Sequence, residues 1–159
     1  MSIEQDIQQK NFSDPYQKVL VNLMYTHSWL TAQLSQLLKP HDLTGAQYNV
    51  LRILRGQHPN PATVNLIMDR MIDKMSNASR LVDKLEAKKL VDRHVCPRDR
   101  RAVDVVITQR GLDLLTVIDA EMLVWRNVLK GLNEPEANQL SDLLDKLRGT
   151  GGETDADTT

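Results

Sequence analysis

One short stretch of the chain interrupts a hydrophobic pattern that is otherwise helical, and it constrains the fold more than any other feature. Before Leu90 and after Thr108, apolar residues recur every three or four positions, as they do in amphipathic helices. Residues 91–96 and 103–108 instead alternate with a period of two, which is typical of strands. The sequence therefore predicts a mainly helical protein with one small β-hairpin.

Short helices are predicted directly before this hairpin. One begins at Thr44, a favourable N-cap residue, and two more cover residues 63–70 and about 76–88, with only a few residues between them. Two short helices joined by a tight turn form a helix-turn-helix motif, and a hairpin that follows this motif is a wing. Residues 43–111 are therefore predicted to form a winged helix-turn-helix domain.

Longer helices are predicted on both sides of this domain. Residues 14–39 begin with Asp14 as the N-cap and Pro15 at the first helical position. Residues 112–148 hold two helices, the second of which starts at the capping-box sequence Asn133-Glu134-Pro135-Glu136. Because their apolar stripes are more extensive than the winged domain can cover, these flanking helices are predicted to pack against a partner.

The basic residues are concentrated in the middle of the chain. The net charge of the whole chain is −1, yet residues 52–110 contain thirteen Lys and Arg against seven Asp and Glu, a net charge of +6. The remaining residues carry seven against fourteen, a net charge of −7. This distribution suits a central module that contacts phosphates. Residues 149–159 are polar and acidic and are expected to form a disordered tail.

Other classes of protein find little support in the sequence. No apolar run approaches the roughly 20 residues that span a bilayer, and the N-terminal residues are too polar for a signal peptide, so a cytoplasmic location without membrane contact is expected. We expect neither an enzyme nor a cofactor, because there is no nucleophile elbow, phosphate loop or paired-carboxylate motif. The four histidines lack metal-ligand spacing, so no metal site is expected.

Three segments share the pattern of a known family. Asp99–Gly111 combines a D-x-R wing signature, alternating apolar residues and a Thr-x-x-Gly end, and it is supported by LTGAQYNVLRIL (Leu43–Leu54) and SRLVDKLEAKKLVDR (Ser79–Arg93). The chain thereby resembles the MarR (multiple antibiotic resistance regulator) transcription factors of bacteria and archaea over about residues 15–147. The resemblance implies a homodimer with intertwined terminal helices, whose two recognition helices enter successive major grooves of a palindromic DNA site.

The resemblance also implies roles for residues of the recognition helix, which it places from Ser76 onward. Ser76, Asn77 and Ser79 are expected to contact phosphates or base edges, with helix capping as the alternative. Arg80 has the length and geometry to bind a phosphate or a guanine. Some relatives carry Ser-Pro where this chain has Met75-Ser76, which leaves the N-cap at one of two neighbouring positions.

The arginine-rich turn of the hairpin is the second DNA-contacting element that the resemblance implies. Arg101 is expected to enter the minor groove, where narrow A·T-rich sequence has a more negative potential. Asp99 is expected to hold the turn or the guanidinium in place without touching DNA. Arg98 and Arg100 are expected to contact phosphates, which adds salt dependence but little sequence information.

One departure from the family pattern concerns the residue after the recognition helix. Many relatives have glycine there, whereas this chain has Lys89, which we expect to adopt a positive φ at a cost of about 1 kcal/mol. Cys96 is the single cysteine of the chain and lies on the wing. A structural or incidental role for it is favoured over redox sensing, because the chain offers no second cysteine to resolve an oxidised thiol.

Five side chains are candidates for the effector cavity that relatives keep between the dimerisation helices and the DNA-binding lobe, with ordinary packing as the alternative for each. They are Tyr25, His27, Trp29, Tyr48 and Trp125.

Together these features predict a dimeric DNA-binding transcriptional regulator, specifically a repressor released by a small-molecule effector. The alternative is a ligand-binding or protein-adaptor dimer that keeps the fold without binding DNA. The positive charge of the central segment counts against this alternative.

Overall fold

The structure is a computed structural model that describes residues 2–95, 103–129 and 131–149. Within these residues the α-helices are α1 (Ile3–Asp6), α2 (Pro15–Leu38), α3 (Gly45–Gln57), α4 (Val64–Arg70), α5 (Ala78–Ala87), α6 (Gln109–Trp125) and α7 (Glu134–Leu147). The strands are β1 (Ala62–Thr63), β2 (Val91–Val95) and β3 (Val103–Ile107). Short 3₁₀ segments follow α2 and α6, at Lys39–His41 and Arg126–Leu129. The chain divides into two compact units, Met1–Ala120 and Glu121–Thr159.

The three helix starts singled out by their capping residues are confirmed. Asp14 accepts hydrogen bonds from two backbone N–H groups in the first turn of α2, at 2.8 and 2.9 Å. Thr44 and Gln47 form a reciprocal capping box on α3, with distances of 3.1 and 3.2 Å. Asn133 and Glu136 form another on α7. Each side chain satisfies N–H groups that a helix start leaves without intrahelical partners.

The core of the first unit lies where α3, α4 and α5 pack together and against the sheet. Strand β3 is central and antiparallel to both neighbours, in the order β1-β3-β2. The period of two in the sequence matches the burial, since Val91 and Val105 are buried whereas Asp92 and His94 are exposed. The largest fully buried side chains are Leu38, Val50, Leu51, Leu54, Ile67, Met71, Val82, Leu85, Val91, Val105, Leu115 and Ile118. The predicted fold class, mainly helical with a small wing sheet, is confirmed.

Three features of the fold were not predicted from the sequence. Helix α1 is only four residues long, and Ile3 is its one buried residue. Strand β1 is only two residues long, and it forms by pairing with β3 across more than 40 residues of chain. The first of the two helices predicted in residues 112–148 ends as an α-helix at Trp125, after which the chain tightens into a 3₁₀ segment, as helix ends often do.

Close backbone contacts join the wing to the end of α5. Lys89 adopts a φ of 59°, in the left-handed region, as its place in the family pattern predicts. The Thr108 N–H donates to the Leu90 carbonyl at 3.1 Å, and the Thr108 hydroxyl donates to the Lys89 carbonyl at 2.9 Å. The Gly111 N–H donates in turn to the Thr108 hydroxyl oxygen at 3.1 Å. A Cβ atom at position 111 would lie 2.5 Å from the Leu90 carbonyl oxygen, so the Thr-x-x-Gly sequence is a structural requirement of this junction.

Gly111→Ala is therefore expected to lower the free energy of unfolding by about 2 kcal/mol, because the added methyl group forces the backbone of α6 away from Leu90. Urea unfolding at one fixed protein concentration measures this, since unfolding of an oligomer depends on concentration. Gly56→Ala is the matched control. A Cβ atom there meets nothing within 4 Å, and alanine favours the helix by up to about 1 kcal/mol. Equal stabilities of the two variants would contradict the role assigned to Gly111.

Candidate nucleic-acid interface

The recognition helix begins two residues later than the sequence predicts. Helix α5 starts at Ala78, and Asn77 is its N-cap, with the Asn77 side-chain oxygen accepting the N–H of Arg80 at 3.0 Å. This geometry gives Asn77 the capping role that the sequence left open. Ser79 and Arg80 lie exposed in the first turn of the helix.

Ser76 lies before the helix because the side chain of Asp73 holds it in a turn. One carboxylate oxygen of Asp73 accepts the Met75 N–H at 3.0 Å, and the other accepts the Ser76 hydroxyl at 2.7 Å. Both hydrogen bonds stabilise the ionised carboxylate, and the one from the Ser76 hydroxyl has the larger effect. Together they lower the pKa of the Asp73 carboxyl below its ordinary value of 3.8. The ammonium group of Lys74 donates to the Asp69 carbonyl and closes the turn from the other side. The turn between α4 and α5 is thus held by its own side chains.

A contact from α3 anchors the same turn to the core. The side-chain oxygen of Asn49 accepts the backbone N–H of Ile72 at 2.9 Å. The side chain of Ile72 nevertheless points outward and is 88% exposed, and that of Met75 is 93% exposed. Sequence reasoning missed these roles. Aspartate three residues before serine is a recognisable turn signal, whereas the partner of Asn49 lies 23 residues away and leaves no local signal.

Several basic residues of the central segment are used inside the fold. Arg93 on β2 forms an ion pair with Asp83 of α5 at 2.7 Å and donates to the Ser79 carbonyl at 3.3 Å, which joins the wing to the recognition helix. Arg55 of α3 pairs with Asp119 of α6 at 2.5 Å. The exposed cations on α4, on α5 and in the turn between them are Arg70, Lys74, Arg80 and Lys84. These four provide the positive potential that a nucleic acid would meet.

The wing residues predicted to contact DNA lie outside the described part of the chain. These are Arg98, Arg100 and Arg101. Asp99, which is predicted to hold the turn without touching DNA, and Cys96 lie outside it as well. The pairing of β2 with β3 extends to Val95 and Val103, so residues 96–102 connect two paired strands.

Two of the five candidate effector residues lie in one cavity. Tyr25 and Trp29 of α2 line a cavity of about 530 Å³ that α1 and the residue before it help to enclose. In its wall, Lys18 forms an ion pair with Glu4 at 2.6 Å. The hydrogen bond from Lys18, with further hydrogen bonds from the backbone N–H of Glu4 itself and from the Ser2 side chain, lowers the pKa of Glu4 to about 2.

The other three candidates are placed elsewhere. Tyr48 is buried in the core, where its hydroxyl accepts a hydrogen bond from Arg52 at 3.0 Å. His27 is exposed on α2 and does not line the cavity. Trp125 is half-buried in the second unit, and its indole N–H has no hydrogen-bond partner among the described residues. The described residues contain no group of three or more metal-ligating side chains, and none of their helices combines the length and hydrophobicity of a membrane span.

Comparisons with known proteins agree with this architecture. A family model described as the MarR family matches residues 41–102. A MarR transcription factor from Planctomyces limnophilus is 30% identical, with a TM-score of 0.62 over 87% of this chain and 98% of that one. A mutant MarR from E. coli, solved in complex with operator DNA, is 25% identical, with a TM-score of 0.71 over 85% and 99%. BpsR from Bordetella bronchiseptica, whose DNA binding is regulated by 6-hydroxynicotinic acid, is 24% identical, with a TM-score of 0.69 over 82% and 98%.

The lowered pKa of Asp73 makes the turn before α5 sensitive to acid. A carboxyl group whose pKa is lower in the folded state stabilises that state above its ordinary pKa, and this stabilisation is lost as the pH falls through the lowered value. The amide resonances of Met75 and Ser76 are expected to titrate with a midpoint below 3.8 in an NMR pH series. Asp73→Asn keeps an oxygen acceptor but does not ionise. In this variant the amide resonances of Met75 and Ser76 should therefore not shift over the same pH range. A midpoint at or above the ordinary value would contradict the two hydrogen bonds.

Proposed function

Because the chain belongs to the MarR family of transcriptional regulators, we propose that it binds a palindromic operator as a homodimer and represses transcription there until a small-molecule effector releases it. The observation that carries this proposal is the exposed first turn of α5, with Ser79 and Arg80 at the surface and further cations around it. A regulator of this kind acts in the cytoplasm, where its operator is accessible. Members of this family are transcription regulators rather than enzymes.

The contacts that we propose fall into two groups. Ser79 and Arg80 enter the major groove and contact phosphates or base edges, while Lys74 and Arg70 attract the phosphate backbone on either side. Ser76 and Asn77 act at the start of the helix, where Asn77 also caps it. The MarR from E. coli in complex with operator DNA supports this use of the fold.

The wing supplies the second group of contacts. Arg101 enters the minor groove, and Asp99 positions it. Arg98 and Arg100 bind phosphates and add to the salt dependence of the complex. The ion pair of Arg93 with Asp83 attaches strand β2, from which the wing continues, to the recognition helix.

The exposed apolar surface supports a second copy of the chain as the partner. Helix α2 exposes six large apolar or aromatic side chains, and α7 exposes three leucines, which is more than a stable monomer usually leaves in water. They are Tyr16, Val19, Leu20, Met24, Tyr25 and Trp29 on α2, and Leu140, Leu143 and Leu147 on α7. Burial of the α7 leucines and of the α2 side chains before Tyr25 between two copies would set the distance between the two recognition helices, while Tyr25 and Trp29 stay beside the cavity described above.

An effector can release the protein from DNA because binding to the operator depends on the distance between the two recognition helices. A ligand that prefers a dimer with a different separation of recognition helices shifts the population away from the DNA-binding form. We place the effector beside Tyr25 and Trp29, because their cavity lies against α2, one of the helices that we assign to the dimer. Regulation of BpsR by 6-hydroxynicotinic acid is a precedent for a small aromatic effector in a protein of this fold.

Selection of bound fragments from a random duplex library tests the proposed function. The purified protein is expected to enrich a palindrome with half-sites about one helical turn apart, at about 0.15 M salt, where screening weakens non-specific phosphate attraction. Recovery of fragments without any shared sequence would contradict the regulator and favour the protein-adaptor alternative.

Arg101→Ala is expected to weaken binding to the selected operator and to reduce its preference for A·T pairs at the position facing the wing. Titrations of operator variants at matched salt measure both effects. Arg98→Ala is the matched control, because loss of a phosphate contact weakens all operators alike and lowers the slope of affinity against salt by about 1. The assignment of Arg101 fails if its alanine variant binds the operator as tightly as the parent.

A further inference from the structure

We propose that Met75 recognises the C5-methyl group of a thymine in the major groove and is thereby a specificity-determining residue of the operator complex. This inference rests on the proposed function and adds to it a named base feature and the side chain that contacts it. The observation behind it is a long apolar side chain, 93% exposed, two residues before the N-cap of the recognition helix.

Hydrogen bonds hold the backbone on which Met75 is carried. Its backbone N–H is bound by the Asp73 carboxylate at 3.0 Å, and that carboxylate also binds the hydroxyl of the following residue, Ser76. The turn is anchored to α3 through Asn49, which accepts the N–H of Ile72 at 2.9 Å. Because these hydrogen bonds already order the backbone of the turn, binding costs little further backbone entropy at Met75, and the entropy that is lost is that of the methionine side chain alone.

The surroundings of Met75 favour DNA over an apolar protein partner. Its neighbour Lys74 is exposed, and so are Arg70 on α4 and Arg80 on the first turn of α5. These three cations outnumber the two exposed carboxylates of the same stretch, Asp69 and Asp73. A net positive charge around an apolar side chain matches a groove with phosphates at its edges and methyl groups at its floor. Thymine is the one standard DNA base that presents an apolar group in the major groove, and an unbranched thioether side chain adapts well to such a contact.

Replacement of thymine by deoxyuridine tests the contact with little disturbance, because deoxyuridine keeps every hydrogen-bonding group of thymine and lacks only the methyl group. Each thymine of the selected operator is replaced in turn, and the affinity of the full-length protein is measured at fixed salt. At the contacted position the parent protein is expected to lose about fourfold in affinity per half-site, the value for one buried methyl group of ~0.8 kcal/mol.

Variants of the turn test whether the loss of affinity for the deoxyuridine operator depends on the Met75 side chain. Met75→Gln, of similar length, should bind thymine and deoxyuridine operators equally, whereas Met75→Leu, which keeps an apolar contact, should retain the loss. Ile72→Ala is the matched control, because Ile72 is equally apolar and 88% exposed on the same turn but lies farther from the recognition helix; it should behave like the parent. Unchanged melting temperatures would show that all three variants are folded.

Two results would overturn the proposal while leaving the proposed function intact. One is an operator complex whose affinity does not change with deoxyuridine at any position. The other is a deoxyuridine effect that persists in Met75→Gln, or that disappears in Ile72→Ala instead. Failure of the parent protein to bind any operator would overturn the proposed function and this inference with it.

Discussion

The contact between the Leu90 carbonyl and position 111 is the constraint on which the DNA-binding half of the molecule depends. At this point the end of the recognition helix, the root of the wing and the start of α6 share a few backbone groups, and Thr108 bonds to both Lys89 and Leu90. A side chain at position 111 would separate them. Because the left-handed turn at Lys89 sets the direction of β2, the recognition helix and the wing keep one mutual orientation.

A second set of contacts determines how the recognition helix is presented. Asp73 binds the backbone and hydroxyl groups that precede the helix, Asn77 caps it, and Asn49 anchors the turn to α3. Groups that are already ordered lose little conformational entropy on binding, which favours the complex. The side chains that this arrangement leaves in solvent, including Met75 and Arg80, are therefore the ones available for contact.

The electrostatic design explains how a chain with a net charge of −1 can serve as a DNA-binding protein. Some basic residues of the central segment are paired internally, as Arg55 is with Asp119 and Arg93 with Asp83. Others remain exposed around the turn and the recognition helix. The field near a surface depends on the charges close to it, since salt screens those farther than about 8–10 Å, so the acidic residues elsewhere do not prevent attraction of phosphates.

The sequence by itself determined the helix starts at Asp14, Thr44 and Asn133 and the period-two strands, because these depend on hydrogen bonds within three residues or on alternation within five. The family resemblance, read from the same residues, added the positive φ at Lys89 and a recognition helix from Ser76, two residues before its start at Ala78. Only the tertiary structure decided the pairing of β1 with β3, the anchoring of the turn by Asn49 and the burial of Tyr48. In each of these three features, the packing of distant segments brings the partners together. The residues near either partner in the sequence therefore do not predict the contact.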